Sequence, residues 1–230
     1  MAALTWDASG SRFYESGVDH GVLYLEKTTT SGGTTTTDPY GNAYVWNGLT
    51  GVTESPSGAD VTDMWADNIK YASLRAAEKF GGTIEAYTYP DEFAECDGSK
   101  EVETGVKIFQ QPRKKFGLCY RTKKGNDLNQ EAGYLLHLVY GCTCSPSEKA
   151  YSTINDSPDA ITFSWEFDTT PVPVTIDNVT YTPTSIVVVD STKCTSAQMT
   201  ALENILYGTA NSDARMPLPA DVASTIASAT

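Results

Sequence analysis

Histidine is nearly absent from this chain of 230 residues, which has two, His20 and His137. A Ser/His/Asp or Cys/His catalytic set therefore has two candidate bases. Neither is accompanied by a Gly-x-Ser-x-Gly elbow or a comparable nucleophile setting. Packed or hydrogen-bonded structural histidines are the expectation. No apolar run approaches the roughly 20 residues of a membrane helix. The stretch from Met1 to Asp7 has neither the basic region nor the apolar core of a signal peptide, so a soluble, cytosolically made protein is expected. Basic residues are scarce too: 16 Lys and Arg face 29 Asp and Glu, a formal net charge of −13. That balance argues against a protein that grips nucleic acid through its phosphates, which needs a basic face. The glycine-rich stretches contain neither a dinucleotide fingerprint after a strand nor a phosphate-binding P-loop.

Cysteine is present in an odd number, five: Cys96, Cys119, Cys142, Cys144 and Cys194. Cys142 and Cys144 are two apart on a strand-like run and share a face. A zinc site wants Cys-x-x-Cys pairs at a suitable separation, and there are none. Packed, reduced thiols are expected, with no metal and no cofactor. The acids Asp91, Glu92, Glu95 and Asp97 cluster, but without the spacing or internal glycine of a calcium loop; solvated acids at a helix start explain them. Asn178-Val-Thr180 has the form of a glycosylation sequon, which carries no meaning without secretion. The run Arg113, Lys114, Lys115, with Arg121, Lys123 and Lys124 beyond, is the one basic patch. In so acidic a chain it reads as one side of a charge-complementary subunit contact.

What the chain does have is two-residue alternation. Ile161, Phe163, Trp165 and Phe167 are apolar with polar residues between them, the pattern of a half-buried strand. Phe116, Leu118 and Tyr120 alternate likewise. After the turn-like stretch from Lys124 to Asn129, the run Tyr134 to Cys144 is apolar on both faces, as in a strand covered on both sides. These two runs predict a long antiparallel hairpin. Val18–Glu26, Ala43–Leu49, Thr83–Tyr89 and Ser185–Asp190 are further strands, and the chain is mainly β. Thr195 to Gln198 makes a capping box that predicts a helix over Ser196–Tyr207, stopped by Gly208 and laying an apolar stripe on a sheet. Pro90 to Glu95 reads as a short helix. Residues 66–80 fit a helix or a strand turning at Gly81-Gly82. The Thr28–Thr37 stretch has no apolar residue and predicts an exposed loop, and Ala220–Thr230 a loosely held tail. No repeat or linker divides the chain.

One ordered set of motifs is more specific. It runs through Tyr44 to Ala59, Trp65 to Tyr71, Glu78 to Phe93 and Cys96-Asp-Gly98. It continues through Phe116 to Thr122 with Gly125-Asn-Asp127, His137 to Gly141, Ser145 to Tyr151 and Thr153 to Phe167. Leu202 to Gly208 and Leu218-Pro219 complete it. In this order, from about Gly17 to about Leu218, the chain resembles the major tail (tail tube) proteins of long non-contractile-tailed bacteriophages.

The resemblance implies a non-enzymatic structural protein of the virion tail, assembled in the host cytoplasm. It implies a tail-tube-type β-sandwich or barrel with one flanking helix and long exposed loops. Hexameric rings would stack into a tube around the tape measure protein, between tail tip and tail terminator, and DNA would later pass without specific binding. By the same resemblance Ile69–Ala76 and Thr83–Tyr89 become a β-hairpin. The implied division is an N-terminal arm over 1–16, a tube domain over 17–219 and a flexible tail over 220–230. Family members use a long early loop to reach the neighbouring ring. Carried over, that names Thr28, Thr30, Gly32, Thr35, Asp38 and Tyr40 as contact residues, beside Arg113, Lys114 and Lys115. The competing expectation is an acidic β-sandwich carbohydrate-binding or decoration module with aromatic platforms; against it, Trp46, Trp65 and Trp165 are expected to pack in the core.

Overall fold

A computed structural model describes residues 4–31, 34–151, 153 and 160–229. The chain begins with β1 (Tyr14–Ser31), β2 (Thr34–Val45), β3 (Leu49–Glu54) and β4 (Ser57–Gly58). Next come β5 (Val61–Ala66), β6 (Ile69–Arg75), β7 (Glu78–Lys79) and β8 (Gly81–Ala86). A 3-10 turn, Asp91–Phe93, runs into α1 (Ala94–Asp97), followed by β9 (Lys100–Glu103) and β10 (Val106–Ile108). Then come β11 (Phe116–Gly125), β12 (Gly133–Cys144), β13 (Phe163–Thr169), β14 (Val172–Ile176), β15 (Val179–Thr184) and β16 (Ile186–Asp190). Two helices close it, α2 (Ser196–Tyr207) and α3 (Pro219–Ser228). The protein is mainly β, as the alternation predicts.

The principal sheet has eight strands, in the order β2-β1-β11-β12-β13-β8-β3, with β16 joined to β12 as a branch. Every pairing is antiparallel, and β11 with β12 forms the long hairpin read from the sequence. Neighbouring residues along β1 and β11 serve opposite faces. Leu23, Leu25, Leu118 and Tyr120 enter one buried cluster with Trp46, Ile84, Phe93 and Trp165. Val22, Tyr24 and Cys119 enter a second, with Met199, Leu202 and Leu206 of α2 and Val222 of α3. The β1–β11–β12 layer is thus covered by β13, β8 and β3 on one side and by the helices on the other. The ladder path ends at β3, so the sheet is not closed into a barrel. β1, over which β3 comes to lie, already has β11 on one edge and β2 on the other.

Gly141 lets β12 serve both layers. Its φ is +62°, in the left-handed region that glycine enters without a Cβ penalty. Before it, Leu136, Leu138 and Tyr140 face the helices and Val139 the opposite cluster; after it, Cys142 and Cys144 face that opposite cluster. One irregular residue inverts the alternation. It also divides the pairing, since Leu135 to Val139 bond to β16 and Cys142 to Cys144 bond to β13.

Several expectations are corrected. The described residues of the Thr28–Thr37 stretch are not in a loop but in the outer part of the β1–β2 hairpin, where Thr28 pairs with Thr37, Thr29 with Thr36 and Thr30 with Thr35; residues 32 and 33 lie outside the described residues. It has nothing apolar to bury, but branched Cβ atoms favour extended backbone and cross-strand threonines support one another. Thr30 Oγ1 and Thr35 Oγ1 lie 3.2 Å apart. Of Ile69–Ala76, all but Ala76 lies in strand β6, but β6 pairs with β5, while β8 pairs with β13 and β3. The β5–β6 turn is Asp67-Asn68, both at positive φ, as a type I′ hairpin turn requires. Asp177-Asn178 turns β14 into β15 in the same way.

Ala43–Leu49 is interrupted at Trp46, whose indole donates to Thr88 O at 3.0 Å. The expected loose tail is α3 instead. Val222 is buried in the helix-side cluster, and Gln198 Nε2 donates to Ile226 O at 2.8 Å. Two helices, not one, therefore flank the sheet. The capping box of α2 is present as read, with Gln198 N donating to Thr195 Oγ1 and Thr195 N to Gln198 Oε1. Of the 1–16 arm, Tyr14 to Ser16 already pair with β11, and Gly10 N donates to Asp127 Oδ1 at 3.0 Å.

A Cβ at Gly141 would lie 2.2 Å from the Thr170 backbone oxygen. Gly141→Ala is expected to lower the unfolding free energy by about 3 kcal/mol or more. Gly105→Ala, also at positive φ but in open space, should lose about 1 kcal/mol. Equal losses in urea titrations would mean that the crowding at Gly141 is immaterial.

Candidate functional site

A groove of about 930 Å³ runs beneath the β1–β2 hairpin. Leu25, Glu26, Thr28, Tyr40 and Tyr44 line one side of it, and Asp91, Glu92, Glu95, Lys114 and Lys115 another. Four of the sequence-predicted contact residues, Thr28, Tyr40, Lys114 and Lys115, therefore meet in one place. Thr30 and Thr35 lie farther along the hairpin, paired with each other. Asp38 sits at its irregular step and accepts from Tyr40 N at 2.9 Å. Gly32 falls outside the described residues, and Arg113 lines a different pocket.

Tyr40 is not a surface contact. It is 5% exposed, stands edge-on to Tyr140, and its hydroxyl accepts from Gly141 N at 2.9 Å. Burial raises its phenol pKa. A polar ring tip beside a strand residue reads as a surface tyrosine until the chain folds back over it.

The charged residues near the groove are mostly tied within the chain. Lys107 pairs with Asp91, Lys114 with Glu95, and Lys149 with Asp97, so three acids of the Asp91–Asp97 cluster have their own lysines. Lys115 donates to Thr170 Oγ1 at 3.1 Å. Farther along the basic run, Arg121 grips Asp19 with two bonds, at 2.7 and 2.9 Å, and holds that carboxyl below its usual range. Lys124 meets Asp190 at 2.6 Å. The patch that looked available to another subunit is largely engaged. Among the described residues no three His, Cys, Asp or Glu side chains converge as a metal would need. The thiols are free, and burial pushes Cys119 and Cys144 up to about 12, so they stay protonated near neutrality.

His137 has the most organised polar surroundings. Its Nδ1 lies 3.1 Å from Glu54 Oε1 and its Nε2 3.0 Å from Thr122 Oγ1. Tyr120 stacks on the imidazole at 4.7 Å and donates to the same Glu54 oxygen at 2.5 Å. A hydroxyl, an imidazole and a carboxylate in line form the skeleton of a nucleophilic triad. Neither Thr122 nor His137 lines the groove beneath the β1–β2 hairpin or the pocket around Arg113. What the set does is fasten edge strand β3 to β11 and β12 across the core. Sequence reading missed Glu54, which lies about eighty residues from its partner and has no local pattern to reveal it.

Trp46 and Trp165 pack in the core as predicted, and Trp65 does not: it is 68% exposed on β5. Beside it Ile69, Tyr71 and Leu74 of β6 are also exposed. The Asp67-Asn68 turn signals the hairpin itself; that no third strand among the described residues joins it is decided only in space. No protein-family model matches the chain, and no curated protein matches it.

Burial lowers the pKa of His137 below its ordinary 6.5, against the opposing pull of Glu54 and Glu15. The unfolded chain then binds the proton more tightly than the folded one. Stability is therefore complete above about pH 6.5 and falls as the pH drops through the lowered folded-state value. His137→Gln is expected to flatten this acid-side slope, by at most about 1.4 kcal/mol per pH unit. Urea midpoints between pH 7.5 and 5.5 read it, and an unchanged slope would remove His137 from the acid response.

Proposed function

We propose that the protein is a non-enzymatic building block that assembles with copies of itself into stacked rings forming a phage tail tube. The observation that carries this reading is the β5–β6 hairpin, which exposes Met64, Trp65, Ile69, Tyr71 and Leu74 to solvent. A lone two-stranded hairpin is marginal in water. Burying each large side chain in a contact would contribute about 2 kcal/mol. Edge strands β2, β3 and β16 each pair on one side only, leaving open backbone for a neighbour. Thr28, Thr30 and Thr35 of the β1–β2 hairpin are exposed, and in this reading they contact the adjoining ring. The motif order described above supports placing this assembly in the tail of a virion, with the tape measure, tip and terminator proteins as partners.

The net charge of −13 fits a conduit. An acidic lumen repels phosphates within the roughly 8–10 Å that screening allows, so DNA passes without being held. A tail-tube-type sandwich, in which β3, β8 and β13 face the central layer, fits the same role.

One observation favours a second reading. Trp65 on β5 and Tyr71 on β6 are both exposed aromatic side chains, a residue type that carbohydrate stacks on, although Trp65 pairs with Lys70 and Tyr71 lies at the bulge between the paired positions.

Sedimentation and negative-stain microscopy over rising concentration separate the two. Rings or tubes are expected, and Trp65→Glu with Tyr71→Glu should raise the concentration needed by about tenfold or more while leaving the monomer's melting curve in place. Deleting 28–37 should impair stacking of rings. Monomers that persist at high concentration and bind glycans through Trp65 would replace the first reading with the second.

A further inference from the structure

A second pocket, of about 490 Å³, lies beside the end of α1 and is lined by Asp97, Phe109, Arg113, Lys149 and Trp165 among others. Two of its lining residues carry buried N–H donors with no partner among the described residues, Arg113 Nε and Trp165 Nε1. Trp165 is 1% exposed, so bulk water does not stand in for the missing acceptor. Buried donors are rarely left orphaned, and here two occur at one cavity.

The neighbouring charges show what is lacking. Lys149 Nζ lies 2.9 Å from Asp97 Oδ2, whose side chain is 5% exposed, and that pair is neutral in itself. Arg113 makes no ion pair among the described residues, which leaves one positive charge uncompensated. Cys144 lies near both cations, yet burial holds its thiol up to about 12 and it supplies no anion. The hydroxyl of Ser147 is already committed, accepting from Glu166 N and donating to Ser145 O. The guanidinium lies close against Gly98, where a Cβ would be 3.2 Å from Arg113 Cζ.

We propose that this pocket is a carboxylate socket, in which Arg113 Nε–H and Trp165 Nε1–H donate to one bound carboxylate. Its single negative charge balances Arg113. A doubly charged phosphate would exceed the available positive charge and meet the Asp97 carboxylate beside it. The carboxylate comes either from a small free acid or from an Asp or Glu side chain of a second copy. Charge complementarity favours neither, since the chain is acidic throughout.

The test uses the full chain at a concentration where it is monomeric, so it does not depend on the assembly reading. Sodium acetate is titrated at constant ionic strength against sodium chloride. The readout is the Trp165 indole N–H resonance, assigned by its loss in Trp165→Phe. A saturable shift in acetate and none in chloride is expected. Arg113→Met should weaken binding by about tenfold or more, and Arg113→Lys by less, because it keeps the charge and loses the fork. An equal response to chloride, or full acetate affinity in folded Arg113→Met, would overturn the socket and leave water as its only occupant. Sedimentation of concentrated protein then identifies the source. Suppression of self-association by both acetate and Arg113→Met marks a neighbour's side chain as the occupant, and indifference to both marks a free acid.

Discussion

Strand β12 has to satisfy two cores and three neighbouring strands, and the rest of the molecule is arranged around how it does so. Up to Tyr140 it alternates between the helix-side cluster and the opposite one; beyond Gly141 the alternation is inverted and the hydrogen-bonding partner changes from β16 to β13. Only a residue at φ +62° without a Cβ fits there, since the Thr170 backbone occupies the space. The branch it creates carries β13, β8 and β3 over the face of the central layer. That placement brings Glu54 of β3 against Tyr120 and His137, and Trp165 against Trp46 and Phe93. A barrel would need β3 to find a free edge, and β1 has none to offer.

The same economy leaves the outer hairpins unsupported. Their strands form separate two-stranded sheets, and the apolar side chains of β5–β6 have no partner layer among the described residues. Exposed apolar side chains on a lone hairpin are an aggregation liability unless another surface covers them. The net charge of −13 opposes close approach of like chains, over a range that salt shortens. Lys107, Lys114, Arg121, Lys124 and Lys149 are ion-paired within the chain, while Arg113, Lys115 and Lys123 of the same basic run make no ion pair among the described residues.

Legibility followed the distance over which a signal acts. The β11–β12 hairpin, the alternating β13 and the capped α2 were readable because alternation, turn chemistry and capping act between residues a few positions apart. The threonine hairpin was misread because a segment with nothing to bury was equated with a loop, although branched Cβ atoms favour extension whatever the burial. Residues 219–228 look too small and polar for a docked helix, yet Val222 and Ile226 sit one turn apart and find α2 to cover them. Trp65 and Tyr40 were exchanged, the first expected inside and found outside, the second the reverse. An aromatic residue suits either place, and only its neighbours in space decide.

The amino-acid order by itself determined a mainly β chain with one strand buried on both faces, a capped helix and a net charge of −13. Each follows from short-range spacing or from composition, which survive in any arrangement of the strands. Tertiary structure alone decided that the sheet branches at Gly141, that Glu54 clasps His137, and that Arg113 and Trp165 leave unpaired donors at one pocket. These depend on residues tens of positions apart meeting across a core. No local pattern encodes such a meeting, because its free energy comes from the packing of whole layers.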